Sequence, residues 1–216
     1  MVNKKLSKDK DTEEKIFEAA REVFAGKGMD GARMQEIADR AGISKSLLHY
    51  YYRSKEKLFS AVFDDVAELI FRKFAQIFER DLPFEKKVEH FFTEHIDFLK
   101  ANPGLPLFIL SEINRNPERM KKLTARIDYQ KMWYTVWGDL NRDPKQTGGR
   151  ILHLEPQEIP QLVTTAISIT VFPFAARNLL EPVLERSGYS FERYIEERKK
   201  FATRLVIDYL SSQKDA

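Results

Sequence analysis

The chain contains no cysteine among its 216 residues, which excludes a disulfide framework, thiolate metal sites and a cysteine nucleophile. It also lacks a phosphate-cradling glycine loop, a Gly-x-Ser-x-Gly elbow and a His-Glu-x-x-His pair, and its four histidines are scattered. No enzyme, metal or cofactor is expected from such a pattern. No run approaches the roughly 18 apolar residues of a membrane helix. The basic start, MVNKKLSKDKD, has no apolar stretch of the signal-peptide kind, so a cytoplasmic location is expected.

What is present is a globular balance, 43% hydrophobic and 32% charged. The formal net charge of +3 is unevenly placed: residues 1–60 hold 13 Lys and Arg against 10 Asp and Glu, whereas residues 61–216 hold 23 of each. Within the first part, Arg40, Lys45, Arg53, Lys55 and Lys57 face only Glu56, a concentration suited either to a solvated surface or to phosphates.

Helical periodicity dominates, and no strand pattern stands out. Thr12 is placed to cap a helix with Ile16, Ala20, Val23 and Phe24 on one face, ended by Gly26 and Gly28. A short helix over 33–41 stops at Gly42; Ser44 caps another over 45–51, and Ser54 one that reaches about residue 80. Helices are further expected over 85–101, 105–114, 117–140, 156–180 and 190–211, with breaks at Asn102-Pro103-Gly104, Asn116-Pro117 and Glu181-Pro182. Residues 141–153 are polar. The expectation is an all-α chain of about nine helices: a flexible basic arm (1–11), a head of three helices (12–58) and a larger helical body (59–216).

The most informative stretch is MQEIADRAGISKSLLHYYYRSKEKL, residues 34–58. Two short helices joined through Ala41-Gly42-Ile43-Ser44, with Ile37, Ala38, Ile43 and Leu48 between them, form a helix-turn-helix. A generic helical hairpin is the plain alternative, but the turn, the basic aromatic run after it and the charge asymmetry agree. Ile16, Ala19-Ala20, Phe24, Gly28, Ile37-Ala38, Ala41-Gly42-Ile43-Ser44, Leu48, Tyr52 and Ser54-Lys55-Glu56-Lys57-Leu58 follow the order and spacing of the TetR family of bacterial transcriptional regulators, which the first quarter of the chain resembles.

In a helix-turn-helix the second helix presents its N-terminal side chains to base edges in the major groove. Lys45 suits guanine O6 or N7, and Ser46 donates or accepts. Ser44 begins this helix at the duplex surface, and His49, Tyr50 and Tyr51 suit phosphates, which set register. Leu47 lies at the edge of the inner stripe, facing either the core or a thymine methyl. Lys55, at the start of the fourth helix, is assigned to the phosphate backbone. The chain departs from the family pattern at Gly31-Ala32-Arg33, which offers no hydroxyl before the second helix, so Arg33 and Gln35 are expected to meet the duplex instead. His49 stands where a tyrosine is common, either as a contact sensitive to pH or as a neutral ring making one hydrogen bond.

For the remainder, the resemblance implies an effector pocket and a dimer built from the last two long helices. Residues 61–216 carry 13 of the 16 phenylalanines together with Trp133 and Trp137. His90, Glu94, Phe98, Met132, Trp133, Trp137 and Phe172 are pocket candidates, though aromatics at helical spacing are commonly core and His90 with Glu94 suits an ordinary i,i+4 pair. Leu162, Thr165, Ala166, Ile169, Phe201, Leu205 and Tyr209 suit the dimer seam. The expected partners are operator DNA, a second copy of the chain and a small apolar effector that shifts the fourth helix and releases the DNA. A constitutive DNA-binding dimer without effector stays open as the alternative; a helical enzyme is a more remote one.

Overall fold

The computed structural model describes residues 2–125, 134–136, 138 and 155–212, apart from the side chains of 2–10, 120, 123, 124, 156 and 212. The fold is all-α, with no strand among the described residues. In chain order the helices are α1 (Val2–Gly31), α2 (Met34–Arg40), α3 (Lys45–Tyr51), α4 (Lys55–Phe78), α5 (Phe84–Ala101), α6 (Leu105–Arg115), α7 (Pro117–Thr124), α8 (Ile159–Ala175), α9 (Arg177–Arg186) and α10 (Phe191–Ser212). A 3₁₀ turn, Pro156–Glu158, leads into α8. Two compact units result: residues 1–70 with 107–123, and residues 71–106 with 124–216.

In the first unit, Ile16, Ala20, Val23 and Phe24 form the expected inner stripe of α1, each at most 2% exposed. The Phe24 ring meets Phe59 of α4 edge-on at 4.9 Å, and Phe59 meets Phe108 of α6 at 5.2 Å. Residues 107–123 therefore pack with the N-terminal helices, so the division expected at residue 58 does not match the packing. Gly28 breaks α1 with φ 65°, and Gly42 makes the α2–α3 turn with φ 68°, a left-handed conformation that side chains disfavour. Within the stretch expected as a flexible arm, α1 begins at Val2. No glycine or proline precedes Gly26, so nothing in the backbone stops the helix from extending.

In the second unit, Ile77, Phe84, Val88, Phe91, Phe92, Ile159, Ala202, Val206, Ile207 and Leu210 pack as one buried cluster, and Ile96, Leu99, Phe174, Phe191 and Ile195 as another. Two buried polar groups are spent on helix geometry. Lys87, 2% exposed, donates from Nζ to the Phe78 carbonyl at 2.7 Å and so caps the end of α4. His95 Nδ1 lies 3.0 Å from Thr170 Oγ1, joining α5 to α8.

The helix expected over 156–180 instead divides at Ala176, and Pro182 lies inside α9 rather than at a boundary. Pro182 leaves the Asn178 carbonyl without its helical donor, and Asn178 is exposed on a helix that buries no residue. No single described helix is long and apolar enough to cross a membrane; α8 and α9 are so only together, and they meet at 76°.

Candidate nucleic-acid interface

The reading element is built by two local devices. Ser44 Oγ accepts the Leu47 amide at 3.1 Å, which caps the N-terminus of α3. Leu48, fully buried, fastens α3 to the unit, and truncating such a leucine typically costs about 2–5 kcal/mol. At roughly 100° per residue, anchoring Leu48 turns Ser46 and Tyr50 outward. Lys45, Ser46, His49 and Tyr50 are all exposed, Tyr50 at 80%, and Tyr51 is half-buried with its ring edge-on to Tyr50. Lys45 and His49 have no ion-pair partner among the described residues. The surface therefore presents a cation, two hydroxyls and an imidazole, with Ser44 keeping its own hydroxyl proton free to donate.

The face beside it is held by ion pairs and hydrogen bonds to α1. Lys27 donates to both Glu36 carboxylate oxygens at 2.8 Å, a bond that holds the Glu36 carboxyl below its ordinary range. Arg40 donates to Glu22 at 2.7 Å, and Tyr52 donates its hydroxyl to Glu13 at 2.9 Å. Burial of Tyr52, reinforced by that bond, raises its phenol well above the usual value and keeps it a donor. These contacts fix the orientation of α2 and α3 on α1.

Two of the three expected contacts at this edge look different in this geometry. Lys55 is turned inward: its ammonium donates to the carbonyls of Asp30 and Ala32 at 3.3 and 3.2 Å, tying α4 to the α1–α2 junction rather than standing free for a phosphate. The Gln35 amide donates to Asp39 at 2.7 Å. Arg33 does stand at the exposed N-cap position of α2, with extended backbone and no side-chain cap.

A polar cluster missed from sequence lies behind the head. Glu112 on α6, 2% exposed, pairs with Arg119 Nε at 3.0 Å. Arg119 also donates to Ser60 at 2.6 Å and lies over the Phe59 and Phe63 rings. Burial raises the Glu112 carboxyl against the pull of Arg119 and Arg115. Arg115 reaches Asp30 at 3.3 Å, a second tie onto the α1–α2 junction. No local spacing signals the contacts of Arg119 with Ser60 or of Arg115 with Asp30, which are far apart in sequence.

Within the second unit, four of the pocket candidates, His90, Glu94, Phe98 and Phe172, are among the described residues. His90 and Glu94 form a surface pair at 3.7 Å, with Arg80 donating to Glu94 at 2.7 Å. Phe98 lies under Lys73 at 5.0 Å, and Phe172 is 57% exposed. Met132, Trp133 and Trp137, like residues 141–153, lie outside the described residues. No group of three or more metal-ligating side chains occurs among the described residues.

The seam candidates divide. Phe201, Leu205 and Tyr209 on α10 are 58, 46 and 44% exposed, and Thr165 is exposed. Leu162, Ala166 and Ile169 instead pack against the unit's own core. The exposed residues of α8 are Gln161, Thr164, Thr165, Ile167, Ser168 and Phe172. Because α8 is apolar around much of its circumference, its pattern leaves the inward direction unsettled.

Two short helices joined at a left-handed glycine, the second capped, anchored by one leucine and presenting a cation and hydroxyls outward, define a DNA-binding helix-turn-helix protein. Residues 16–62 match the profile of the bacterial regulatory proteins of the tetR family, and in that stretch the chain is similar to that family. It is 30% identical over 83 residues to the nucleoid occlusion factor SlmA of Pasteurella multocida, covering 38% of this chain and 42% of that one. It is 26% identical over 149 residues to the HTH-type transcriptional regulator RutR of Escherichia coli K12, covering 67% of this chain and 66% of that one. The chain thus spans less than two thirds of the length of either relative. The fold is similar to that of the transcriptional regulator FadR from Bacillus subtilis, solved in complex with stearoyl-CoA, at a TM-score of 0.55, 17% identity, 88% of this chain and 96% of that one.

Proposed function

We propose that this chain regulates transcription by binding operator DNA as a homodimer and releasing it when a small apolar molecule binds the second unit. The carrying observation is α3, where buried Leu48 leaves Lys45, Ser46, His49 and Tyr50 exposed together. Lys45 and Ser46 read base edges, His49, Tyr50, Tyr51 and the Ser44 hydroxyl hold phosphates, and Arg33 adds a contact from α2. Lys55 acts from behind, by holding the α1–α2 junction.

Support for dimerisation comes from the exposed apolar row Phe201, Leu205 and Tyr209 on α10 beside Phe172 and Thr165 on α8, and from the few base pairs one short helix reads. A second copy supplies the second half-site, about 34–36 Å away. Support for an apolar effector comes from the phenylalanine-rich second unit. The stearoyl-CoA held by FadR belongs to that protein and serves here as a first probe. Effector binding acts through α4, which runs from Lys55 to Phe78 without glycine or proline, and operator DNA must weaken effector binding by the same factor.

Duplexes selected from random DNA by the purified protein test the core of this reading: an enriched inverted repeat supports it, and recovery of no common sequence refutes it. Displacement of the selected duplex by stearoyl-CoA, with a panel of shorter acyl-CoAs, tests release. Retention against all of them favours the constitutive dimer over an acyl-responsive sensor.

A further inference from the structure

Leu47 and Leu48 are adjacent on α3, yet Leu48 is fully buried and Leu47 is 38% exposed. Its amide is the one that Ser44 caps, which places it in the first turn, at the end of the helix that faces base edges. Leu47 lies about 100° from Leu48 and about 60° from Tyr50 around the helix. It therefore borders the outward face formed by Ser46 and Tyr50. Tyr50 does not fold over it, since the Tyr50 ring stands edge-on to Tyr51 at 5.7 Å.

We infer that Leu47 is a specificity-determining residue that reads the C5-methyl group of a thymine. The inference rests on the DNA-binding function proposed above. Every other exposed side chain of α3 carries a hydrogen-bonding group, and Leu47 has none. In the major groove, guanine, cytosine and adenine present only donors and acceptors, whereas thymine adds an apolar methyl. A leucine over a cytosine amine or a guanine carbonyl strips water from a polar group and returns no hydrogen bond, which is unfavourable. Over a thymine methyl the same side chain buries apolar surface on both partners. Burial of one methyl-sized group corresponds to about a fourfold change in affinity.

The test uses the full-length protein and the duplex it selects from random DNA. Each thymine of a half-site is replaced singly by deoxyuridine, which deletes the methyl and preserves pairing. The expected result is one thymine under α3 whose replacement weakens wild-type binding about fourfold per half-site, with no such loss for Leu47→Ala and the loss retained for Leu47→Met. Because Leu47 is exposed, both variants should melt with the wild type, and their melting curves confirm that folding is intact. Indifference of the wild type to every replacement overturns the inference while leaving DNA binding in place. So does an undiminished penalty in Leu47→Ala, or a selected half-site with no thymine under α3. Failure to select any duplex overturns the DNA-binding function itself, and this inference with it.

Discussion

Arg198 on α10 donates from Nε to the carbonyl of Ile169 on α8 at 2.7 Å, and that carbonyl is the acceptor Pro173 leaves without its helical donor. Proline has no N–H, so the i→i−4 bond from position 173 to Ile169 cannot form. Arg198 supplies the missing donor and also donates to the Tyr194 hydroxyl at 2.6 Å. A break that weakens α8 alone is thereby converted into a bond between α8 and α10. Arg198→Met, which keeps much of the apolar stem, is expected to cost about 1–3 kcal/mol. In a Pro173→Ala background the residue-173 amide satisfies Ile169 itself, and the cost of Arg198→Met should shrink. Urea unfolding of the four proteins in this cycle measures the coupling, and additive effects speak against it.

The buried His95 sets a pH window for stability. It is 5% exposed against Thr170, Phe74 and Phe91, and burial lowers its pKa from 6.5 to about 4. Between those values the unfolded chain binds a proton that the folded one refuses. This contribution to stability is therefore complete above the unfolded pKa and lost as pH falls from about 6.5 to 4, by roughly 3 kcal/mol at most. Melting curves across that range should show the loss in the wild type and a shallower dependence in His95→Gln. An identical slope in both assigns the acid sensitivity to other groups.

Lys55 provides a discriminating experiment because its ammonium is held by the Asp30 and Ala32 carbonyls. Lys55→Ala should lower the melting temperature and weaken operator binding while leaving the salt slope unchanged. Loss of a phosphate contact would instead reduce the slope by about one for each site. Affinity measured against salt concentration, alongside thermal melts, separates the two.

Phe201 and Leu205 project from α10 at 58 and 46% exposure, too apolar a pair to favour solvent if a second copy covers them. Phe201→Glu with Leu205→Glu is expected to give a folded monomer by sedimentation, with operator affinity down by at least tenfold. A variant that sediments as the wild type does places the interface elsewhere.

Much of the head was legible from sequence because its signals are local. The Ser44 cap, the Gly42 turn and the stripe Ile16, Ala20, Val23, Phe24 each lie within one or two helical turns of what they determine. The rest depends on residues that only the fold brings together. Lys55 reads as a free cation until the carbonyls of Asp30 and Ala32 arrive beside it, and the Glu112–Arg119–Ser60 cluster joins three helices. Leu47 was ambiguous at the edge of a stripe, and one angular step settles it as exposed. On α8, apolar residues around most of the circumference hid the phase, so the sequence does not show that Leu162, Ala166 and Ile169 are partly buried against their own unit's core.

The account stands most directly on whether α3 reads sequence. The decisive measurement is selection from random DNA by the wild type and by Lys45→Ala in parallel. The predicted result is an inverted repeat for the wild type and, for Lys45→Ala, the same repeat with preference lost at one guanine position in each half-site, about 1–3 kcal/mol of discrimination. An identical selected sequence from both proteins would contradict the account.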